Sequence, residues 1–254
     1  MTEQITFSVF IPTLNERDNI VELIERLEKY STLKNIIIID DDSSDGTPEQ
    51  VEGLKTKYPN IILKIRKKLP PGRGLSGREA YQTYLDLNDD SNMLIEMDAD
   101  LSHNPDYIQA FLKEYAKGAK VIVGSRYING GSETGRSYIR RILSKFAHLI
   151  IRNILSIKLK DPTAGFRAFD KNVLKMINFS NFISQGPEIV EEMYFALSLK
   201  NIQIKEIPIV FPDRVKGDSK LNFIKLFRVF LNFFRIATNN RKDYFISNNV
   251  DAKM

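Results

Sequence analysis

The sequence predicts an α/β fold, a doubly wound, mixed but mostly parallel sheet with helices on both faces. Three observations lead there. Over the first hundred residues short apolar runs alternate with stretches that carry a helical apolar stripe. The runs are too apolar to keep a solvated face; Ile36-Ile37-Ile38-Ile39 has the composition of a parallel strand buried on both sides. Finally, polar clusters follow three of these runs, at Thr13–Glu16, Asp40–Asp45 and Asp98–Asp100. Open α/β sheets bind ligands at the carboxyl ends of their strands.

In chain order, Ile5–Ile11 reads as a strand and Asp18–Tyr30 as a helix, with Ile20, Leu23, Ile24 and Leu27 on one stripe. Strand 36–39 is followed by a helix over Pro48–Lys57, and Ile61–Lys64 is a third strand. A Gly-rich segment, Pro70–Gly77, leads into a helix over Arg78–Asp86, and Met93–Met97 is a fourth strand. After Val121–Gly124 the pattern changes to a long basic helix over Ser137–Ser156, whose Arg141, Ser144, Lys145, His148, Arg152 and Ser156 share a face. Asp161–Phe169 reads as loop and strand, Gln185–Leu199 as a helix and Ile202–Phe211 as a strand. Leu221–Ala237 is a second amphipathic segment, rich in Phe, with Lys225, Arg228, Asn232 and Arg235 along one stripe. The expectation is one domain over residues 1–237 and a polar, frayed tail over 238–254.

Composition narrows the chemistry. The 254 residues contain no cysteine, which excludes a disulfide scaffold, a thiolate nucleophile and thiolate-ligated metals. Two histidines, His103 and His148, argue against a multi-histidine site; His103 reads as loop packing and His148 as helix surface. No run of about 18 apolar residues offers a membrane span, and the polar start Met1-Thr2-Glu3-Gln4 does not read as a signal peptide. Lys and Arg total 37 against 32 acids, a net charge of +5 that suits anionic ligands or surfaces. Basic residues alternate with acidic strand ends and no recognition motif appears, so nucleic acid is not the expected partner.

Asp98 and Asp100 are two residues apart at a strand end and project to one side. Like charges that close repel unless a cation or a proton intervenes; Mg²⁺ or Mn²⁺ bridging to substrate phosphates is the natural solution. Asp40 and Asp41 end the second strand, where carboxylates can accept hydrogen bonds from a base or ribose; Asp41 is assigned to ligand and Asp45 to capping the next helix. Pro70–Gly77 is not a P-loop, since no Gly-Lys-Ser/Thr follows. It reads as a mobile basic loop over the site, with Arg66, Lys67, Lys68 and Arg73. Arg126, after a buried strand, suits a phosphate because its guanidinium is a planar fork. Arg214, Lys216 and Lys220 form a further cationic loop.

Taken in order, these segments resemble the family 2 glycosyltransferases of GT-A fold, and within them the polyprenol (dolichol) phosphate mannose synthases. The resemblance covers roughly residues 6–237. It rests on Ile11–Glu16, Asp40–Thr47, Met97–Pro105 and Gly124–Tyr127. More specific to the lipid-phosphate branch are Asp161-Pro162-Thr163-Ala164-Gly165-Phe166-Arg167 and the loop Asp213–Leu221. It implies an inverting, metal-dependent transfer of mannose from GDP-mannose to a polyprenyl monophosphate. Pro12, Leu14, Glu16 and Asp41 would hold the guanosine, with Ala99 against the nucleotide. Asp98 and Asp100 would hold Mg²⁺ or Mn²⁺ on the diphosphate, and Arg214 and Lys220 would close over it. Arg126, Arg140 and Ser144 would bind the acceptor phosphate. Two departures stand out: Leu14 replaces a common tyrosine, and Ser102 takes the place where some relatives carry a glutamine ligand.

Many such relatives carry transmembrane helices. Here the two amphipathic stretches, about 137–156 and 221–237, are the expected contacts with the cytoplasmic face of a membrane, directly or through a separate anchoring subunit. The competing enzymatic reading is a family 2 transferase using UDP-glucose or another nucleotide sugar with a different acceptor.

Overall fold

The structure, a computed structural model, describes residues 4–87, 89–134, 138–212, 223–238 and 244–246; the side chains of 138–143, 145, 146 and 223–230 lie outside that description. β1 (Phe7–Thr13), β2 (Leu33–Asp40) and β3 (Ile61–Ile65) are linked by α1 (Arg17–Leu27) and α2 (Thr47–Leu54). α3 (Arg73–Asp86) returns the chain to β4 (Met93–Glu96), and α4 (Ile108–Ala116) leads to β5 (Val121–Ser125). β6 (Ser132–Glu133), α5 (Tyr138–Leu155), β7 (Arg167–Asp170) and α6 (Lys171–Lys175) follow. The described elements end with α7 (Ile189–Leu199), β8 (Ile204–Pro208), β9 (Val210–Phe211) and α8 (Phe223–Thr238).

Seven strands form one sheet in the order β3-β2-β1-β4-β7-β5-β8. β7 runs antiparallel to both its neighbours, while the other pairs are parallel. Chain order reverses between β1 and β4, so a crevice opens at their carboxyl ends, where α/β sheets take ligands. The doubly wound, mostly parallel sheet expected from sequence is therefore present.

The isoleucine run shows why the sheet is buried on both faces. Ile36 and Ile38 join one core layer with Ile20, Leu23 and Ile24 of α1, as the apolar stripe predicts. Ile37 and Ile39 join the other with Ala80, Tyr81 and Tyr84 of α3. Alternate residues of a strand face opposite sides, so a strand covered on both faces must be apolar throughout.

Four sequence expectations need correction. α3 begins at Arg73, five residues before the expected start, because Gly74 and Gly77 let the helix approach the 184–185 backbone and Ile189 closely. The expected strand over Ile202–Phe211 divides around Ile209: β8 joins the main sheet, while β9 pairs with β6. His148 is buried rather than on the helix surface, since it shares the inward side of α5 with Ile151 and Leu155 while Leu149 faces out. In the stretch expected to fray, Tyr244 is fully buried and Phe245 bridges Ile177, because Tyr-Phe-Ile is an apolar triplet within a polar stretch.

Candidate active site

Three loops meet at the switch point. The loop after β1 is tied to the loop after β2: the Asn15 N–H donates to Ser43 Oγ (2.8 Å) and the Ser44 N–H to Asn15 Oδ1 (3.0 Å). Asp40 is fully buried and accepts from Thr13 Oγ1 (2.7 Å) and from the Ser43 N–H and hydroxyl (2.8 and 2.7 Å). Its place is architectural. Asp45 accepts from the Thr47 N–H and hydroxyl (3.0 and 2.6 Å) and so closes the turn ahead of α2, whose N-cap is Gly46 and carries no side-chain cap bond. Glu16 precedes α1 and accepts from Asn19 Nδ2 (3.0 Å), Pro12 is half-buried, and Leu14 is exposed beside them.

Asp41 is placed differently from the open ligand group expected of it. One carboxylate oxygen pairs with buried Arg66, and the other accepts from the Gly72 N–H at 2.7 Å. The basic segment read as a mobile loop is therefore pinned at this end. Arg66 and Asp41 are both nearly buried, where a paired charge is stable and an unpaired one is not.

The end of β4 carries Asp98, Ala99 and Asp100. Ala99 is buried. Asp100 Oδ1 accepts from the Ser102 N–H (3.1 Å) and hydroxyl (2.5 Å). That turn puts Leu101 in the left-handed region at φ 60°, a conformation that non-glycine residues adopt at a cost. His103 packs as expected: its ring stacks on Phe166 at 5.0 Å, and its Nδ1 accepts the Asp98 N–H at 2.8 Å. The neutral ring then carries its proton on Nε2, and burial lowers its pKa.

Asp98 Oδ1 meets Arg73 Nη1 at 2.6 Å, and Arg73 Nη2 lies 3.2 Å from Glu96 Oε1. Glu96 in turn accepts from Arg167 Nε (2.8 Å) and from the Tyr81 hydroxyl (2.6 Å). Burial works against the Glu96 charge, but Arg167 and Arg73 more than offset it, and the pKa falls below the usual range. A row of alternating charges, Arg167–Glu96–Arg73–Asp98, thus runs from the core to the site.

Arg126 does not present an open fork. Its Nε and Nη2 take both oxygens of buried Asp161 (2.8 and 2.7 Å), Nη2 also reaches Thr163 Oγ1 (2.8 Å), and Nη1 reaches Glu133 (3.1 Å). Burial alone would raise the Asp161 pKa; the Arg126 hydrogen bonds and charge bring it below normal. Thr163 Oγ1 lies 3.2 Å from His148 Nε2, which explains the inward histidine. Segment Asp161–Arg167 is therefore a connector. Asp161 holds Arg126, Gly165 leaves room for Arg73, Phe166 supports His103 and Arg167 neutralises Glu96.

A cavity of about 210 Å³ lies between these parts, lined by Asp98, Arg73, His103, Arg126, Thr163 and Glu191 among others. Glu191 received no role in the sequence reading. Its signal was there: two acids, Glu191 and Glu192, interrupt a run otherwise apolar from Ile189 to Leu197. Ser144 is half-buried on α5. Arg214 and Lys220 lie outside the described residues, as does the Arg140 side chain. Among the described residues no cluster of three or more His, Asp or Glu converges as a metal cage. Mg²⁺ and Mn²⁺ do not require one: hard carboxylates such as Asp98 and Asp100, completed by water and substrate phosphate, make a fitting donor set.

Residues 8–177 match the model of Glycosyl transferase family 2. The chain belongs to this family. It is 32% identical over 233 residues to dolichol-phosphate mannosyltransferase of Pyrococcus furiosus, covering 90% of this chain and 63% of that relative's length. It is also 32% identical over 216 residues to polyprenol monophosphomannose synthase of Mycolicibacterium smegmatis, covering 84% of this chain and 80% of the relative. Glucosyl-3-phosphoglycerate synthase from Mycobacterium tuberculosis shares the fold. Its complex with UDP gives a TM-score of 0.62 at 15% identity, over 92% of this chain and 81% of that one. A structure of the same synthase holds Mn²⁺, UDP-glucose and phosphoglyceric acid, with a TM-score of 0.62 at 15% identity over 92% and 80% of the two chains. The family 2 match spans Asp98 and Asp100, in the loop after β4, and the Asp161–Arg167 connector.

Proposed function

We propose that this family 2 protein transfers mannose from GDP-mannose to a polyprenyl (dolichyl) monophosphate, with inversion at the anomeric carbon. The observation that carries the reading is that one cavity brings Asp98 and Arg126 together, in a chain similar along most of its length to two mannosyl-phosphate synthases. A donor diphosphate at Asp98 and an acceptor phosphate at Arg126 would place the sugar between them.

In this reading Pro12, Leu14, Glu16 and Ala99 frame the guanosine, and Asp41 contributes by fixing Arg66 and Gly72 beside it. Asp98 and Asp100 would hold Mg²⁺ or Mn²⁺, which supplies positive charge to the departing diphosphate. Arg214 and Lys220 are assigned to the same charge, and Arg140 and Ser144 to the acceptor phosphate. Arg126 is held by Asp161, and its Nη1 edge, now on Glu133, is the one proposed to turn to the acceptor.

No base is required. A phosphate monoester has its second pKa at about 6 and reaches the site already ionised at neutral pH. The lining groups agree with this: His103 keeps Nδ1 engaged with the Asp98 N–H, and Glu191 holds its proton to about 8. Catalysis then rests on aligning the acceptor oxygen behind the sugar carbon and stabilising the leaving group.

No described helix is long and apolar enough to cross a membrane. α5 and α8 pack on each other and leave Leu149, Leu231 and Phe234 about half exposed. We assign these apolar residues to contact with the cytoplasmic face of the membrane that holds the acceptor, directly or with an anchoring partner subunit. The test is a donor panel with polyprenyl phosphate in vesicles. Mannosyl transfer from GDP-mannose, and little from UDP-glucose, is expected; preference for UDP-glucose or a water-soluble acceptor would overturn the reading.

A further inference from the structure

α7 is apolar nearly all round, yet carries two buried acids. Glu192 is fully accounted for: Oε1 accepts from the Ile183 N–H (2.9 Å) and the Tyr244 hydroxyl (2.8 Å), and Oε2 from the Ser184 N–H (2.8 Å). Glu191 is not. It is 6% exposed, it lines the cavity between Asp98 and Arg126, and its buried Oε2 has no hydrogen-bond partner. A buried polar atom left unpaired lowers stability, and such groups occur where a ligand supplies the missing bond.

The kind of ligand follows from the state of the carboxyl. Burial, helped by the nearby Glu188 charge, outweighs the carboxyl's hydrogen bond with its own backbone and the Arg167 and Arg73 charges, and pushes its pKa up to about 8. A neutral carboxyl both donates and accepts, which matches a hydroxyl; a phosphate or a metal ion would demand a cation or a carboxylate. At about 210 Å³ the cavity falls below the roughly 300–1,000 Å³ of a pocket for a whole ligand, and suits a sugar-sized part of one.

We propose that Glu191 is a donor-positioning residue, hydrogen-bonding one hydroxyl of the hexose carried by the nucleotide sugar and helping to select that hexose. This rests on the nucleotide-sugar reading given above. A site built to bond a hydroxyl rejects the donor that lacks it, so the test is a cycle between Glu191→Leu and deoxy analogues of GDP-mannose. Transfer rates are measured with each analogue, and GDP inhibition is followed in parallel. In the wild type, loss of one particular hydroxyl should reduce kcat/KM by about 10-fold or more. In Glu191→Leu that same deletion should cost nothing further, with the inhibition constant for GDP unchanged. Should Glu191→Leu not fold, the isosteric Glu191→Gln carries the same cycle, with partial coupling expected. Equal penalties for every analogue in wild type and variant would overturn the proposal, as would parallel loss of GDP inhibition. Wild-type protein that discriminates no sugar nucleotide from GDP would instead remove the nucleotide-sugar reading itself, and this inference with it.

Discussion

Arg73 and Asp98 belong to different elements, the first residue of α3 and the loop after β4, and their charged groups meet at 2.6 Å. The guanidinium thus occupies one oxygen of a carboxylate assigned to a divalent ion. A fixed cation repels an incoming one. Arg73→Met should therefore tighten Mn²⁺ binding in the absence of nucleotide, by about threefold to tenfold for 0.7–1.4 kcal/mol of relieved repulsion. Electron paramagnetic resonance of free Mn²⁺ measures this; weaker binding would mean that Arg73 orders Asp98 for the metal.

Gly165 tests the same pair by sterics. A Cβ there would sit 2.6 Å from Arg73 Nη2. Gly165→Ala should cost about 1–3 kcal/mol of stability, as overpacking does, and Arg73→Met should recover much of that loss. Gly74→Ala provides the contrast, because its Cβ would meet the Ser184 carbonyl oxygen at 2.5 Å, and backbone cannot step aside. Thermal unfolding of the single and double variants separates the two cases.

Glu191 gives stability an unusual pH dependence. Burial pushes its carboxyl up to about 8 in the folded protein against an ordinary value of 4.5, so between those values the folded state binds more protons. Its contribution is fully present below 4.5 and is lost as pH rises through 8. Glu191→Gln should flatten this portion of the stability curve and become the more stable form at about pH 9. Identical curves for the two proteins would show that Glu191 is ionised throughout.

Glu133 competes for the edge of Arg126 assigned to the acceptor. Glu133→Gln weakens that ion pair without emptying the space. The KM for polyprenyl phosphate should fall by about fivefold, for roughly 1 kcal/mol of competing charge-assisted hydrogen bond, while the KM for donor stays level. A raised acceptor KM would show that Glu133 orients Arg126 rather than blocking it.

The strands and the switch-point crevice were legible because each depends on local pattern: β-branched runs and polar residues at their ends. Pairings across the chain were not. Nothing near Arg126 announces that Asp161, 35 residues on, fills its fork, or that Asp41 is taken by Arg66. Arg73 read as loop because three glycines surround it; they serve close packing within and beside a helix instead. His148 read as surface because a polar stripe on a helix normally faces water, whereas the His148 ring meets Thr163 and Tyr127. For Glu191 the sequence carries only the sign of a buried acid, two acids in an apolar run; the missing partner of its Oε2 exists only in three dimensions.

The central claim is that Asp98 and Asp100 bind a divalent ion that anchors a sugar nucleotide. Calorimetric titration of GDP-mannose with and without Mn²⁺, into the wild type and Asp98→Asn, tests it most directly. Binding that needs Mn²⁺ in the wild type and disappears in Asp98→Asn is the predicted result; equal affinity with and without the ion, unchanged by the substitution, would contradict it.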